Sequence, residues 1–257
     1  MKKILIAMIV ALPWLVSAQE YKFAPKNVND DTKVVIKNFF ADISVEGISG
    51  SQIIIEALDY EGVPERAKGL KPLSATGPEN TGIGLNLTQS GNEILITAAS
   101  RSADKGEYRL KIPKNFKVQI DYNSWQAGDL YIKGLSNEVE VSSQVGDLVL
   151  EDITGPLVAH TLSSDIVVTF SALNQKSPTS ISSTSGDIDV TMPSDTKGMF
   201  KMSSISGEVY TDLDFQFEND KNLRRLGGGM TADANLNGGG VEVALRCVSG
   251  NIYIRKR

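Results

Sequence analysis

An all-β fold, a single-chain parallel β-helix or β-solenoid, is what this sequence predicts, and three observations predict it. The first is a short corner, most often Gly-Asp, followed by a strand reading apolar, any, apolar. It stands at Gly128-Asp129-Leu130-Tyr131-Ile132, Gly146-Asp147-Leu148-Val149-Leu150, Ser164-Asp165-Ile166-Val167-Val168, Gly186-Asp187-Ile188-Asp189-Val190, Gly207-Glu208-Val209-Tyr210-Thr211 and Gly250-Asn251-Ile252-Tyr253-Ile254. The second is spacing: the starts lie 18, 18, 22, 21 and finally 43 residues apart. The third is that no window carries the pattern of a long amphipathic helix. A strand unit repeating near every twenty residues cannot bury its apolar face alone, so copies stack on one another.

The elements follow in chain order. Met1-Lys2-Lys3, an apolar run from Ile4 to Val16, and Val16-Ser17-Ala18 before Gln19 form a basic, apolar and small-residue series. That series is expected to be a signal peptide over 1–18, cleaved after Ala18. The run is short for a bilayer span, no Cys stands near the cleavage point, and no later segment is apolar enough to cross a membrane. The expected location is the periplasm or the cell surface and beyond. Cleavage removes two lysines and no acid, taking the formal net charge from −5 to −7. An acidic chain argues against nucleic acid and anionic lipid as partners. One Cys, Cys247, excludes an intrachain disulfide.

Residues 19–257 are expected to form one β-solenoid domain, with an irregular β part over 19–116 and regular coils over 117–257. In the first part 32–36, 43–45, 53–55, 85–87, 94–96 and 108–112 are short, β-rich segments between turn residues. Asp42-Ile43-Ser44-Val45-Glu46-Gly47 reads as a degenerate copy of the repeat. Residues 61–82, with Pro64, Pro72 and Pro78, read as a surface loop.

Within the coils, positions two and four after each corner residue are apolar except at Thr211: Leu130, Leu148, Ile166, Ile188, Val209 and Ile252, then Ile132, Leu150, Val168, Val190, Thr211 and Ile254. Five before the corner stand Val141, Ala159, Ile181, Met202 and Leu245; seven before stand Val139, Leu157, Thr179, Phe200 and Val243. Residues two apart on a strand share a face, so these columns point inward. Ile188 is expected between Ile166 and Val209. Val118, Ile120 and Tyr122 break the register, which predicts a one-residue bulge near 123–126. The 43-residue gap predicts an excursion over 213–240, holding Phe215, Phe217, Arg224, Arg225, Gly227–Gly229 and Gly238–Gly240.

Two columns carry candidate chemistry. Asp129, Asp147, Asp165, Asp187, Glu208 and Asn251 follow the corner and would form a ladder. Like charges about 5 Å apart repel by roughly 0.8 kcal/mol in water. Compensation could come from a bound cation such as Ca²⁺, or from each Asp accepting its own corner's N–H. The outward column contains Tyr131, Tyr210 and Tyr253, a candidate ligand face for glycan or protein unless 19–116 or 213–240 covers it. Cys247 shares a small-residue column with Ser143, Thr161, Ser183 and Ser204, which suits packing. His160, the one histidine, has no nucleophile in a recognisable context and cannot supply a zinc cluster. The Gly runs lack the Lys-Ser/Thr of a phosphate loop. Asn86-Leu87-Thr88 is a glycosylation sequon, without meaning if the host is bacterial. No catalytic, cofactor or metal residues are assigned.

The repeated Gly-Asp units, Tyr108-Arg109-Leu110-Lys111-Ile112-Pro113-Lys114 and the ending Asn237-Gly238-Gly239-Gly240 … Val248-Ser249-Gly250-Asn251-Ile252-Tyr253-Ile254-Arg255-Lys256 resemble a family of bacterial secreted β-strand-repeat proteins. That family is a domain of unknown function described as adhesin-like, and the likeness covers roughly 32–257. It implies a right-handed parallel β-helix and supplies neither an agreed ligand nor catalytic residues. This chain departs from it at Ser164, where the corner Gly is missing. The leading functional reading is a non-enzymatic, exported, adhesin-like binding protein for a glycan or protein. A polysaccharide-cleaving β-helix, which needs two carboxylates about 5–9.5 Å apart, is the first alternative. The second is a scaffold assembling end to end through exposed edges.

Overall fold

The described residues of the computed structural model are 19–257 except 59, 63, 71, 72, 74–76, 101, 102, 218–222 and 227. The expected leader, Pro72 and Gly227 lie outside them. The described residues contain no α-helix and two 3₁₀ turns, Glu65–Ala67 and Ala103–Lys105. Before the regular coils come β1 (Gln19–Phe23), β2 (Lys33–Lys37), β3 (Asp42–Ile48), β4 (Ile53–Ala57), β5 (Leu85–Ser90), β6 (Glu93–Ala98) and β7 (Glu107–Pro113). The coils follow as β8 (Lys117–Tyr122), β9 (Leu130–Lys133), β10 (Val139–Ser143), β11 (Leu148–Ile153), β12 (Leu157–Thr161), β13 (Ile166–Phe170), β14 (Thr179–Ser185) and β15 (Ile188–Met192). The chain ends with β16 (Gly198–Ser206), β17 (Val209–Thr211), β18 (Leu223–Leu226), β19 (Gly229–Leu236), β20 (Glu242–Ser249) and β21 (Ile252–Lys256).

These strands form two large, mostly parallel sheets. Sheet A runs β1-β4-β7-β3-β9-β11-β13-β15-β21-β17, and sheet B runs β18-β19-β16-β20-β14-β12-β10-β8-β2-β6-β5. Each coil gives one strand to each sheet. Eight such rungs stack, in the order β6/β7, β2/β3, β8/β9, β10/β11, β12/β13, β14/β15, β20/β21 and β16/β17. The inward columns are buried as expected, save that Val209 is half-buried and Thr211 exposed on the terminal rung. Parallel strands buried between sheets need these near-continuous Val, Ile and Leu columns.

The corners explain the glycines. A Cβ on Gly186 would lie 2.2 Å from the Ser164 carbonyl oxygen of the preceding rung, and one on Gly146 would lie 2.1 Å from that of Gly128. The small column three before the corner also acts at the corner, because its hydroxyls donate to corner carbonyls. Thr161 and Ser183 both donate to Ser164 O, at 3.0 and 3.2 Å, and Ser204 donates to Gly250 O at 2.8 Å. Cys247 continues this column, with its Sγ 3.1 Å from Gly186 O. Burial pushes its thiol pKa up, away from reactivity.

Rung order departs from chain order at both ends. The last rung, β20/β21, is inserted between β14/β15 and β16/β17, so Ile188 lies between Ile166 and Ile252 rather than Val209. At the other end β2/β3 is inserted between β6/β7 and β8/β9. Asp42-Ile43-Ser44-Val45 is therefore a full copy, with Ile43 and Val45 facing Leu130 and Ile132. Gly106-Glu107-Tyr108-Arg109-Leu110, within the part expected to be irregular, is a further copy. Its Tyr108 occupies the inward column, packs edge-on against Phe39 at 5.2 Å and donates to Ile83 O at 2.8 Å.

The predicted one-residue bulge is instead a three-residue enlargement of the corner. β8 pairs with β10 without a slip, Tyr122 opposite Ser143, yet Gly128 follows six residues later where Gly146 follows three after Ser143. Tyr122 thus fills the small-residue column, and its hydroxyl donates to Ala41 O.

Antiparallel strands close both ends. β4 and β1 continue sheet A and β5 continues sheet B at one end; β19 and β18 continue sheet B at the other. The excursion crosses that second end, where Phe215 meets Phe200 edge-on at 5.0 Å. Antiparallel caps of this kind blunt the parallel edges that would otherwise template further stacking.

At the first end Glu56 of β4 binds Lys111 (2.5 Å) and Arg109 (3.2 Å) of β7. The Lys111 hydrogen bond leads in holding its carboxyl below the ordinary glutamate value. A lowered native pKa stabilises the fold at neutral pH, and that contribution disappears as pH falls through the native value. Glu56→Gln is expected to lower the urea midpoint at pH 7, with the deficit shrinking as pH falls below the ordinary glutamate range. A deficit that does not shrink would contradict this.

Candidate functional site

The Asp column forms a ladder, but its hydrogen bonds run between rungs rather than within each corner. The N–H of Asp129 donates to Asp42 Oδ1 (3.1 Å), that of Asp147 to Asp129 (2.9 Å) and that of Asp187 to Asp165 (2.8 Å). Asn251 N–H donates to Asp187 (2.7 Å) and Glu208 N–H to Asn251 Oδ1 (3.0 Å). In-register parallel rungs place each equivalent N–H about 4.8 Å along the axis, within reach of a short side chain. The column is thus a stacking device. Among the described residues no group of three or more His, Cys, Asp or Glu is placed to hold a metal ion.

The tyrosine face lies on the outside of sheet A and is left open by both the N-terminal strands and the excursion. Tyr131 is 37% exposed and Tyr210 48%. The outward row runs Tyr131, Val149, Val167, Asp189, Tyr253, Tyr210. Tyr131 is therefore four strand spacings, about 19 Å, from Tyr253. Its hydroxyl donates to Glu151 Oε2 at 2.5 Å, and Lys133 sits 3.4 Å from the same oxygen. The Tyr131 bond leads in lowering the Glu151 pKa.

Tyr210 and Tyr253 meet because β21 pairs directly with β17. Their rings stack with centroids 5.4 Å apart and planes 12° apart. On the inner side the Arg255 guanidinium lies 5.4 Å from the Tyr253 centroid. Asp189 holds it there, each carboxylate oxygen 3.0 Å from Nε and Oδ2 also 3.0 Å from Nη2. Asn251 Nδ2 donates to the Tyr253 hydroxyl (3.2 Å), and the Tyr210 hydroxyl donates to Glu208 Oε2 (2.7 Å). That last bond pushes the Tyr210 phenol pKa up. The result is a pile of guanidinium, Tyr253 and Tyr210 ending at the last strand of sheet A. Two rings do not lie side by side for one ligand. One aromatic face, the outer face of Tyr210, is presented beyond the sheet.

Sequence reasoning named the two tyrosines and missed Asp189 and Arg255. They stand 66 residues apart, and only the inserted position of β21 makes them diagonal neighbours. His160 faces outward on sheet B with Nδ1 3.0 Å from Ser182 Oγ. That serine belongs to the neighbouring strand, on an open face, and among the described residues no carboxylate is bonded to the ring. Asn86 of the sequon is buried and its Nδ2 donates to Pro78 O, a placement that rules out an accessible acceptor.

No helix among the described residues is long and apolar enough to cross a membrane. No curated protein matches the chain. Among solved structures, it is similar to "a putative cell adhesion protein" from Clostridium sporogenes, at 12% identity and TM-score 0.49, covering 94% of this chain and 100% of that one. It is also similar to "a putative adhesin" from Bacteroides fragilis, at 12% identity and TM-score 0.30, covering 94% and 99%. The model of one family matches residues 125–255, just over half of the chain. The six corner units from Gly128 to Ile254 all fall within that match, and the chain belongs to the Toastrack DUF4097 family.

Proposed function

We propose that the chain is an exported, non-enzymatic, adhesin-like binding protein that captures a glycan or protein at the Tyr210 end of sheet A. On this reading the rungs form a right-handed parallel β-helix serving as a rigid stalk for that end. The observation that carries it is the guanidinium–Tyr253–Tyr210 pile, clamped by Asp189 and ending in an exposed ring face. Holding a half-exposed aromatic in one orientation lowers the entropy lost on binding, and aromatic anchors supply a disproportionate share of interface energy. The names given to the Clostridium and Bacteroides proteins point the same way without identifying a ligand.

The test is capture on a printed glycan array and on arrayed bacterial surface proteins. Tyr210→Ala is expected to weaken capture about thirtyfold, near 2 kcal/mol, with an unchanged urea midpoint. Tyr131→Ala should bind normally because it stands about 24 Å away. Equal binding by Tyr210→Ala and wild type would remove this site. Export makes its own prediction: the intact mass of secreted protein should correspond to a chain beginning at Gln19. A secreted chain retaining Met1–Ala18 would refute cleavage.

A further inference from the structure

Sheet B also has an open outer face, and the inserted strand β20 completes a polar row on it. Arg246 stands between Ser182 of β14 and Ser203 of β16. Across the sheet the row reads Ser142, His160, Ser182, Arg246, Ser203, Thr231, with Asp121 next beyond Ser142 and Arg224 next beyond Thr231. At about 4.8 Å per strand it is roughly 24 Å long and runs along the stacking axis. Arg246 is exposed, and unlike Arg109, Arg255 and Arg257 it has no carboxylate partner among the described residues. Its neighbours along the strand are Ala244 and Val248, and those at the diagonals are Ser180, Thr184, Lys201 and Ile205. None is acidic, and the one charge among them, on Lys201, is engaged by Glu242 at 2.6 Å.

In an acidic chain Arg246 is an exposed cation in a hydroxyl-lined row, with acids further off, at Asp121 beyond Ser142 and at Asp233 beside Thr231. We propose that this row binds a linear glycan carrying carboxylates, with Arg246 gripping one carboxylate and the flanking hydroxyls exchanging hydrogen bonds with sugar hydroxyls. The planar guanidinium fork matches a carboxylate in a bidentate pair. Serine and threonine hydroxyls both donate and accept, as sugar hydroxyls require of a partner. The site is on the sheet opposite the tyrosine pile and stands independently of it.

The experiment is titration calorimetry of the purified chain with polygalacturonate, with its fully methyl-esterified form and with neutral dextran. Polygalacturonate should bind, more weakly as salt rises. The ester should bind at least tenfold more weakly and dextran not at all. Arg246→Ala should lose about tenfold or more in affinity, the scale of a hydrogen-bonded charge, while retaining the wild-type urea midpoint. Arg246→Lys should recover part of the loss, and Tyr210→Ala should change nothing. The proposal is overturned if polygalacturonate does not bind, if the ester binds equally, or if Arg246→Ala binds as tightly as wild type. Binding lost in Tyr210→Ala and kept in Arg246→Ala would overturn it too, and would assign capture to sheet A.

Discussion

Ile188→Ala is expected to destabilise the fold by about 2–5 kcal/mol, the range for truncating a fully buried aliphatic side chain. Ile188 has no exposed surface and lies inside sheet A, between Ile166 and Ile252. Both neighbouring rungs are held by their own inward columns, so the cavity has little room to collapse. Asp189→Ala, one residue later, faces outward and should cost no more than about 1 kcal/mol, the scale of an exposed ion pair. What it removes is the anchor of Arg255, and with it the support behind Tyr253. Urea unfolding separates the two variants. Similar midpoints would mean that the inward register is misassigned.

The register was readable from the sequence because the period-two alternation is locked to a corner, and a one-residue slip would expose a whole column. The order of the rungs was not readable. Every copy but one offers two apolar residues at the same positions, and that one, Val209 and Thr211 of β17, still pairs in register, so the pattern alone does not choose between β14/β15 and β20/β21 as its neighbour. What distinguishes the two lies outside the repeat. β19 and β20 flank β16 on opposite sides, so the chain crosses the start of β16. Asn237, with φ +51, ties that crossing down by donating to Ser194 O (2.9 Å) and Thr196 O (2.8 Å). Tyr122 illustrates the same limit at the other end. A column of small hydroxyls gave no sign that an aromatic, by means of an enlarged corner, would fill it. Of the candidate site, the tyrosine column was readable from spacing alone. The stacking of two rings, the Arg255–Asp189 clamp behind them and the isolation of Tyr131 all follow from rung order, and so were hidden with it.

Gly186→Ala is expected to cost about 2–6 kcal/mol, the sum of a backbone penalty and a clash that cannot relax. The backbone part arises from φ +148, a region that residues with a Cβ rarely adopt, at roughly 1–3 kcal/mol. The clash is with Ser164 O at 2.2 Å and Ser164 C at 2.5 Å. That carbonyl also accepts hydrogen bonds from Thr161 and Ser183. Moving it would break both, and overpacking of this kind adds roughly 1–3 kcal/mol. Two comparison variants separate the contributions. Gly91→Ala, in the exposed β5–β6 turn at φ +59 with nothing within 4 Å of the added methyl, carries backbone strain alone and should cost about 1 kcal/mol. Ser164→Ala keeps a Cβ that its corner already accommodates and deletes a buried Oγ with no hydrogen-bond partner. It should leave stability within about 1 kcal/mol of wild type or raise it. Urea midpoints of the three variants, with soluble yield as a second readout should Gly186→Ala fold poorly, decide the matter. If Gly186→Ala costs no more than Gly91→Ala, the corners do not stack as closely as the rungs require.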